Sequence, residues 1–291
     1  MAGISDYKER YVSLYTDFGF KKIFGTELNK ELLISFLNAL LQGEQHVEDI
    51  QYLNSENLGS NVGNRNAVFD VYCTNDKGER FIVEMQNAYQ KFFKDRTIYY
   101  SSFPIQEQAK RGDWNYKLDS IYTIGILNFV FPEDEYSPDC YHHEVKLMDT
   151  ADKHVFFDKL TYIYLEVPKF NKKPEELVTM FDKWMFVLRN LSSLMNRPIA
   201  LQERVFTRLF EQAEIAKFSQ DEMRSYEESL KVFRDLNNVI DTAKIDAKAE
   251  GKAEGKAEKG REIAMKLKQM GLSVEQIAEG TGLSIEEIEQ L

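Results

Sequence analysis

The chain has 291 residues, enough for one large domain or two smaller ones, and its 43% hydrophobic content suffices for a packed core. A formal net charge of -11 excludes non-specific adhesion to nucleic acid, so any contact with DNA must be local. Cys73 and Cys140 form no CxxC pair, and no stretch approaches the roughly 20 apolar residues of a membrane span. We therefore expect a globular cytoplasmic protein without a signal peptide or membrane contact.

Hydrophobic spacing in the first 170 residues predicts alternating helices and strands. In chain order these are a helix at 27–41, a strand at 47–54, a hairpin at 66–86, a helix at 91–112, a strand at 119–131 and two strands at 141–148 and 160–167. Pro104 should kink or divide the second helix. The order helix, three strands, helix, strand predicts a mixed α/β sheet flanked by helices.

The sequence after residue 170 predicts an all-helical C-terminal region. Helices are expected at 174–191 and 203–218, and Ser219 and Glu222 form a capping box that opens a third helix through Asp241. A GKAE repeat follows, in which alanine and charge pairs favour helix and glycine opposes it, so we expect a partly helical, solvated connector. The expected divisions are a core at 1–170, a helical region at 171–242, a connector at 243–260 and a tail at 261–291.

The tail contains two short amphipathic segments, each opened by a serine cap at Ser273 or Ser284. Their spacing is that of a helix-turn-helix, a motif that can read DNA in the major groove. The last segment, SIEEIEQL, is acidic and contains no Lys or Arg for phosphate contacts. A small packing or oligomerisation module is therefore favoured over DNA readout, and a homo-oligomer through the C-terminal helices is expected.

The hairpin at 66–86 places two acids at corresponding positions. The turn Asn75-Asp76-Lys77-Gly78 is typical of a three-residue hairpin loop, with glycine in the left-handed position. If Asn75 pairs with Glu79, paired positions sum to 154, which sets Asp70 opposite Glu84. Alternation then assigns Val68, Asp70, Tyr72, Ile82, Glu84 and Gln86 to one face, and Phe69, Val71, Cys73, Phe81, Val83 and Met85 to a core face.

Two carboxylates directly across an antiparallel pair repel each other, so something must offset the repulsion. A divalent cation would do so, and Mg²⁺ suits a site with one or two carboxylates, water and phosphate oxygens, with Mn²⁺ as an alternative. Gln86 lies two residues beyond Glu84 on the same face, where its amide could hold water or a phosphate oxygen. The other interpretation is an ordinary wet face of a half-buried hairpin, on which acids and amides are common.

An Asp on one strand, then Glu-x-Gln on the next, followed by an aromatic helix, resembles the PD-(D/E)XK nuclease superfamily. The stretches 16-TDFGFKKIFG-25, 32-LLISFLNALL-41 and 70-DVYCTNDKGERFIVEMQ-86, with the GKAEGKAEG tail, resemble the bacterial recombination-promoting nuclease/putative transposase family. The likeness runs from about Tyr15 to the C-terminus. It implies a metal-dependent DNA endonuclease, a hydrolase linked to recombination or mobile DNA.

On that resemblance Asp70 and Glu84 match the metal-binding acids, and Gln86 occupies the position of the superfamily's lysine. Phe69 stands where the superfamily name has proline. An acid from the first helical region often completes such sites; Asp17, ahead of Glu27 and Glu31, is the candidate, and an N-cap is its alternative role.

The missing lysine leaves two interpretations. Lys91, Lys94 or Arg96 on the following helix could supply the positive charge, and these residues with Tyr99 are the candidate DNA contacts. An aromatic pair such as Tyr99 and Tyr100 is equally typical of core packing. The rival interpretation is a catalytically inactive nuclease fold that acts as an assembly or DNA-binding module.

His142 and His143 are adjacent on a predicted strand, so their side chains point to opposite faces and do not jointly face one metal. Surface histidines are the expectation for both.

Overall fold

A computed structural model describes residues 9–41, 46–54, 68–109, 115–132, 137 and 139–291. The chain divides into two compact units, residues Met1–Phe233 and Arg234–Leu291. The predicted loop between the first strand and the hairpin falls largely outside the described residues.

The first unit begins with two helices that pack into its main core. Helix α1 spans Asp17–Phe24, and Thr16 caps it by accepting a hydrogen bond from the Gly19 N–H. Helix α2 spans Lys30–Leu40 after a short 3₁₀ turn at Glu27–Asn29, so the helix predicted from residue 27 starts one turn later as α-helix. Its leucines and Phe36 are fully buried, as the helical spacing predicted.

The predicted hairpin is present with the predicted register. Strand β1 (Ile50–Tyr52) pairs with β2 (Val71–Asn75), and β2 pairs with β3 (Arg80–Gln86) such that Val71 lies opposite Val83. The Asn75 side chain accepts hydrogen bonds from the Lys77 and Glu79 N–H groups, and Gly78 has φ +82°. These local contacts close the turn and fix the register, in which the numbers of two paired residues add up to 154.

The described strands form a six-stranded mixed sheet in the order β1-β2-β3-β4-β6-β5, with β4 at Ile121–Leu127, β5 at His142–Met148 and β6 at Val155–Glu166. Strands β3, β4 and β6 run parallel. Helix α3 (Phe93–Gln108) makes the crossover between β3 and β4. It continues through Pro104, so the proline does not divide it. The predicted α/β class and element order are confirmed.

The two faces of the hairpin are both buried, against different partners. Val71, Cys73, Phe81 and Val83 join the main core with α1, α2 and the later helix that contains Trp184. Tyr72 and Ile82 pack under α3 in a second cluster with Phe69 and Phe103. The prediction that Phe69 shares the face of Val71 is therefore wrong, because Asp70 forms a bend before β2 and strand alternation does not extend back to Phe69.

Three more helices follow the sheet. Helix α4 spans Met180–Asn190 and is opened by Thr179 rather than by Pro174, which begins a separate 3₁₀ turn. Helix α5 spans Arg204–Ala213, and α6 spans Gln220–Gln269. Ser219 and Glu222 form the predicted capping box. The helix predicted to end at Asp241 continues through the GKAE repeat, which is exposed and fully helical rather than partly so.

The second unit contains the rest of α6 with α7 (Val274–Thr281) and α8 (Ile285–Glu289). The serine caps predicted at Ser273 and Ser284 are formed. Ala264, Ile277 and Ile288 are fully buried against one another. The tail thus has a small hydrophobic core of its own. The four divisions expected from the sequence remain predictions.

Candidate active site

Asp70 lies in the bend that leads into β2, and its side chain is half-buried. Its Oδ2 accepts a hydrogen bond of 2.8 Å from the Met85 N–H on β3. Burial raises the pKa of the Asp70 carboxyl, and the Met85 hydrogen bond opposes that rise. This contact holds the carboxylate against the strand that carries Glu84.

Glu84 is at the middle of β3, and its side chain is 11% exposed. Its Oε1 is buried without a hydrogen-bond partner among the described residues. Burial raises the pKa of the Glu84 carboxyl to about 8; the Asp70 charge adds to the rise and Arg96 opposes it. Keeping this acid ionised beside a second acid is costly unless a cation is bound there.

Gln86 ends β3, and its side chain is held at both ends. The Nε2 donates to the Ala88 carbonyl at 3.1 Å, and Oε1 accepts from the Arg96 guanidinium. Arg96 Nη2 also lies 3.9 Å from Glu84 Oε2, and Nη1 donates to Gln90 at 2.7 Å. Arg96, one turn into α3, therefore brings a permanent positive charge to the position next to Glu84 and Gln86.

Asp17 lies at the first turn of α1 and pairs with Lys21 at 2.7 Å. Both charges influence the pKa of Asp70, so α1 faces the acids of the hairpin. A cavity of about 880 Å³ borders this place and is lined by Asp17, Lys21 and Asp70 together with the beginning of α6. Of the alternative acids, Glu31 pairs with Arg208 at 2.7 Å, and Glu27 begins the 3₁₀ turn before α2.

The other candidate DNA contacts lie along the start of α3. The Lys91 ammonium lies 5.6 Å from the centre of the Phe92 ring, and the Lys94 ammonium lies 4.5 Å from that of Phe131. Tyr99 is 44% exposed. The Tyr100 ring packs edge-on against Phe69, with ring centres 5.1 Å apart. Tyr99 is therefore the more exposed tyrosine of the pair.

The sequence prediction missed an acidic group in the turn between β5 and β6. Ligand atoms of Asp149, Asp152 and His154 lie within 4.8 Å of one another. Among the described residues, Asp17, Asp70 and Glu84 do not form so compact a group. The spacing DTADKH was the available signal, but exposed acids in a hairpin turn carry no mark of function.

The expectation that His142 and His143 are surface residues is wrong, because both are half-buried. They do point to opposite sides: His142 packs on Phe181, with ring centres 5.2 Å apart, and His143 Nε2 lies 3.1 Å from Glu166. Burial lowers the pKa of His142.

A hairpin with one buried and one half-buried acid, a crossover helix and a parallel fourth strand together define an α/β fold of the PD-(D/E)XK nuclease type. The family model described as PD-(D/E)XK nuclease family transposase matches residues 14–243, and the chain belongs to that family. The resemblance inferred from the sequence motifs is confirmed. Comparison with curated proteins and with solved structures gave no match. Across the described residues, every helix is too short or too polar to cross a bilayer.

Proposed function

We propose that this protein is a Mg²⁺-dependent DNA endonuclease that hydrolyses phosphodiester bonds and acts in recombination or on mobile DNA. The observation that carries the proposal is a pair of acids in a nuclease-type sheet: buried Glu84 on β3 and half-buried Asp70 in the bend before β2, which is hydrogen-bonded to β3 through the Met85 N–H. Family membership supports DNA as the substrate. We place this activity in the cytoplasm, where the free thiols Cys73 and Cys140 stay reduced.

The residues fit a divalent cation. Glu84 Oε1 is buried without a described partner, and the Asp70 charge adds to the cost of ionising Glu84. Asp70 and Glu84 would hold Mg²⁺ or Mn²⁺ through carboxylate oxygens, and Asp17 would join them only after release from Lys21. A bound metal would polarise the phosphate and lower the pKa of attacking water.

The side chains next to the acids supply positioning and positive charge. Gln86 is fixed by Ala88 and Arg96, so its amide presents polar atoms at a defined place beside Glu84. Arg96 brings the positive charge that Gln86 lacks, and oriented cations stabilise the charge that develops on a phosphate in the transition state. Arg96 is therefore our candidate for the role of the missing lysine. This supports an active nuclease over the inactive alternative.

We assign substrate binding to the surface beside the acids. The cavity at Asp70 is large enough for a nucleotide-sized group. Lys91 in the turn before α3, and Lys94, Arg96 and Tyr99 on α3, would contact the DNA strand. Homo-oligomerisation through the C-terminal helices stays a prediction, which light scattering coupled to size-exclusion chromatography would test.

The test is cleavage of supercoiled plasmid in Mg²⁺ by the wild type, Asp70→Asn and Glu84→Gln. Asp152→Asn is the matched control, because it removes an acid from the exposed group at the β5–β6 turn. We expect a loss of about 100-fold or more in both site variants and none in the control. Equal cleavage by all four proteins would refute the site assignment.

Calorimetric titration of Mg²⁺ separates the nuclease from the inactive alternative. Binding that disappears in Asp70→Asn and Glu84→Gln supports the metal site. Absence of binding in the wild type would favour a non-catalytic module.

A further inference from the structure

A second pocket lies on the outer side of the start of α3, next to the acids. It has a volume of about 450 Å³ and is lined by Gln90, Lys91, Phe92, Asp95, Arg96, Tyr99 and Tyr100. Phe92 is 66% exposed and Tyr99 is 44% exposed. The two rings are seven positions apart, which is two helical turns, so they lie on the same side of the helix.

This pocket borders the proposed catalytic site at Arg96. Its guanidinium lines the pocket, bonds to Gln86 and lies 3.9 Å from Glu84. Tyr100, also in the lining, is close enough for the Glu84 charge to raise its pKa. A strand whose phosphate is held at the acids would therefore pass directly along the exposed rings.

We propose that the pocket binds unpaired nucleobases of the DNA strand being cut, and that the preferred substrate has single-stranded or unpaired character at the cleavage point. This inference rests on the proposed nuclease function. Aromatic side chains bind bases by stacking on their flat faces, and adjacent cations hold the phosphates between them. Phe92 and Tyr99 supply the rings, and Lys91 and Arg96 supply the cations, against one acid, Asp95.

An intact duplex fits this surface less well. Its base faces are hidden in the stack, so Phe92 and Tyr99 would meet charged phosphates instead of an apolar partner. The chain also has a net charge of -11, which weakens the purely electrostatic attraction that duplex binding depends on. Stacking supplies binding energy that does not depend on net charge. The exposed rings therefore favour a strand with accessible bases.

The test measures binding separately from cleavage. The full chain in EDTA is titrated into three DNA probes of the same sequence: a duplex, the duplex with a central unpaired bubble, and the single strand. Each carries 2-aminopurine at the centre, whose fluorescence reports stacking. We expect tighter binding of the bubble and the single strand than of the duplex, together with a fluorescence change. An RNA strand of the same sequence serves as a further probe.

The variants are Phe92→Ala and Tyr99→Ala, singly and combined. We expect each to weaken binding of the bubble about 5- to 150-fold while duplex binding changes little. Tyr99→Phe keeps the ring and should retain the affinity. Phe156→Ala removes a ring that is 73% exposed on β6 and is the matched control. Circular dichroism confirms that the variants fold.

Equal affinity for duplex and bubble, unchanged in both alanine variants, would overturn the proposal. Tighter binding of RNA than of DNA would overturn the assignment of the substrate. Base-dependent binding without any cleavage in Mg²⁺ would support the pocket and refute the nuclease function. Cleavage of duplex and bubble at equal rates, unaffected by loss of either ring, would keep the nuclease function and refute the pocket.

Discussion

Replacing Glu84 by glutamine should stabilise the metal-free protein at high pH. The side chain is 11% exposed, its Oε1 has no described partner, and the Arg96 guanidinium is 3.9 Å from the other oxygen. Burial is the main reason that the pKa of Glu84 rises from 4.5 to about 8. The folded protein therefore binds this proton more tightly than the unfolded chain does.

The direction of the pH effect follows from that difference. Between pH 4.5 and about 8 the folded state holds the proton and the unfolded state has lost it, so the free energy of unfolding falls as pH rises. At about 1.4 kcal/mol per pH unit, the full loss is on the order of 5 kcal/mol. Glutamine has nearly the same shape and carries no charge. The variant should therefore lack the part of the decline that Glu84 causes.

Urea unfolding in EDTA, followed by far-UV circular dichroism from about pH 5 to about pH 9, measures this effect. The stability difference between Glu84→Gln and wild type should grow by several kcal/mol across the range. Glu48→Gln, at an exposed position, should follow the wild type. A difference between Glu84→Gln and wild type that does not change with pH would refute the reasoning. Added Mg²⁺ should raise the stability of the wild type near pH 8 and leave the variant unchanged.

Three further outcomes are expected. Arg96→Met should lower kcat about 100-fold. Arg96→Lys should recover part of that loss, because the ammonium keeps the positive charge but not the planar pair of N–H donors of the guanidinium. Full activity in Arg96→Met would contradict the assigned role. Gly251→Ala and Gly255→Ala should each stabilise α6 locally by about 1 kcal/mol, because the new Cβ atoms meet nothing within 4 Å. The measurement is slower amide hydrogen exchange in this part of α6. Unchanged exchange rates would show that helix propensity at these positions does not control the local stability. Gly19→Ala should destabilise the first unit by about 1–3 kcal/mol, because its Cβ would lie 2.1 Å from the Ser13 carbonyl oxygen. Thermal unfolding measures this effect, and an unchanged unfolding midpoint would contradict this packing.

The hairpin register could be predicted because it depends on residues that are close in sequence. Asn75 bonds to the backbone of its own turn, and Gly78 adopts the left-handed conformation, so four consecutive residues determine which positions of β2 and β3 are paired. The helix stripes of α2 and α4 were equally local. A pattern of this kind is readable without knowledge of the rest of the fold.

The errors arose where a distant contact decides the structure. Alternation placed Phe69 in the main core, but Asp70 bends to reach the Met85 N–H, and Phe69 then packs under α3 with Tyr100. The error at the GKAE repeat has a local cause instead: the repeat is exposed, and its alanines and charge pairs outweigh the cost of each glycine in the continuous helix. Periodicity could not show which side of α3 would carry Arg96 to the hairpin.

The position of Arg96 explains how a glutamine can occupy the place of a lysine without leaving the site uncharged. A lysine on β3 would reach the phosphate from the strand itself, whereas in the proposed function Arg96 would reach it from α3, the crossover helix that begins seven residues after Gln86. Because Gln86 accepts a hydrogen bond from Arg96, the amide fixes the guanidinium next to Glu84. Gln86 thereby has a positioning role that lysine could not fill, since an ammonium group cannot accept a hydrogen bond. Gln86→Lys should therefore displace Arg96 rather than raise the activity, and a rise in kcat in that variant would refute the interpretation.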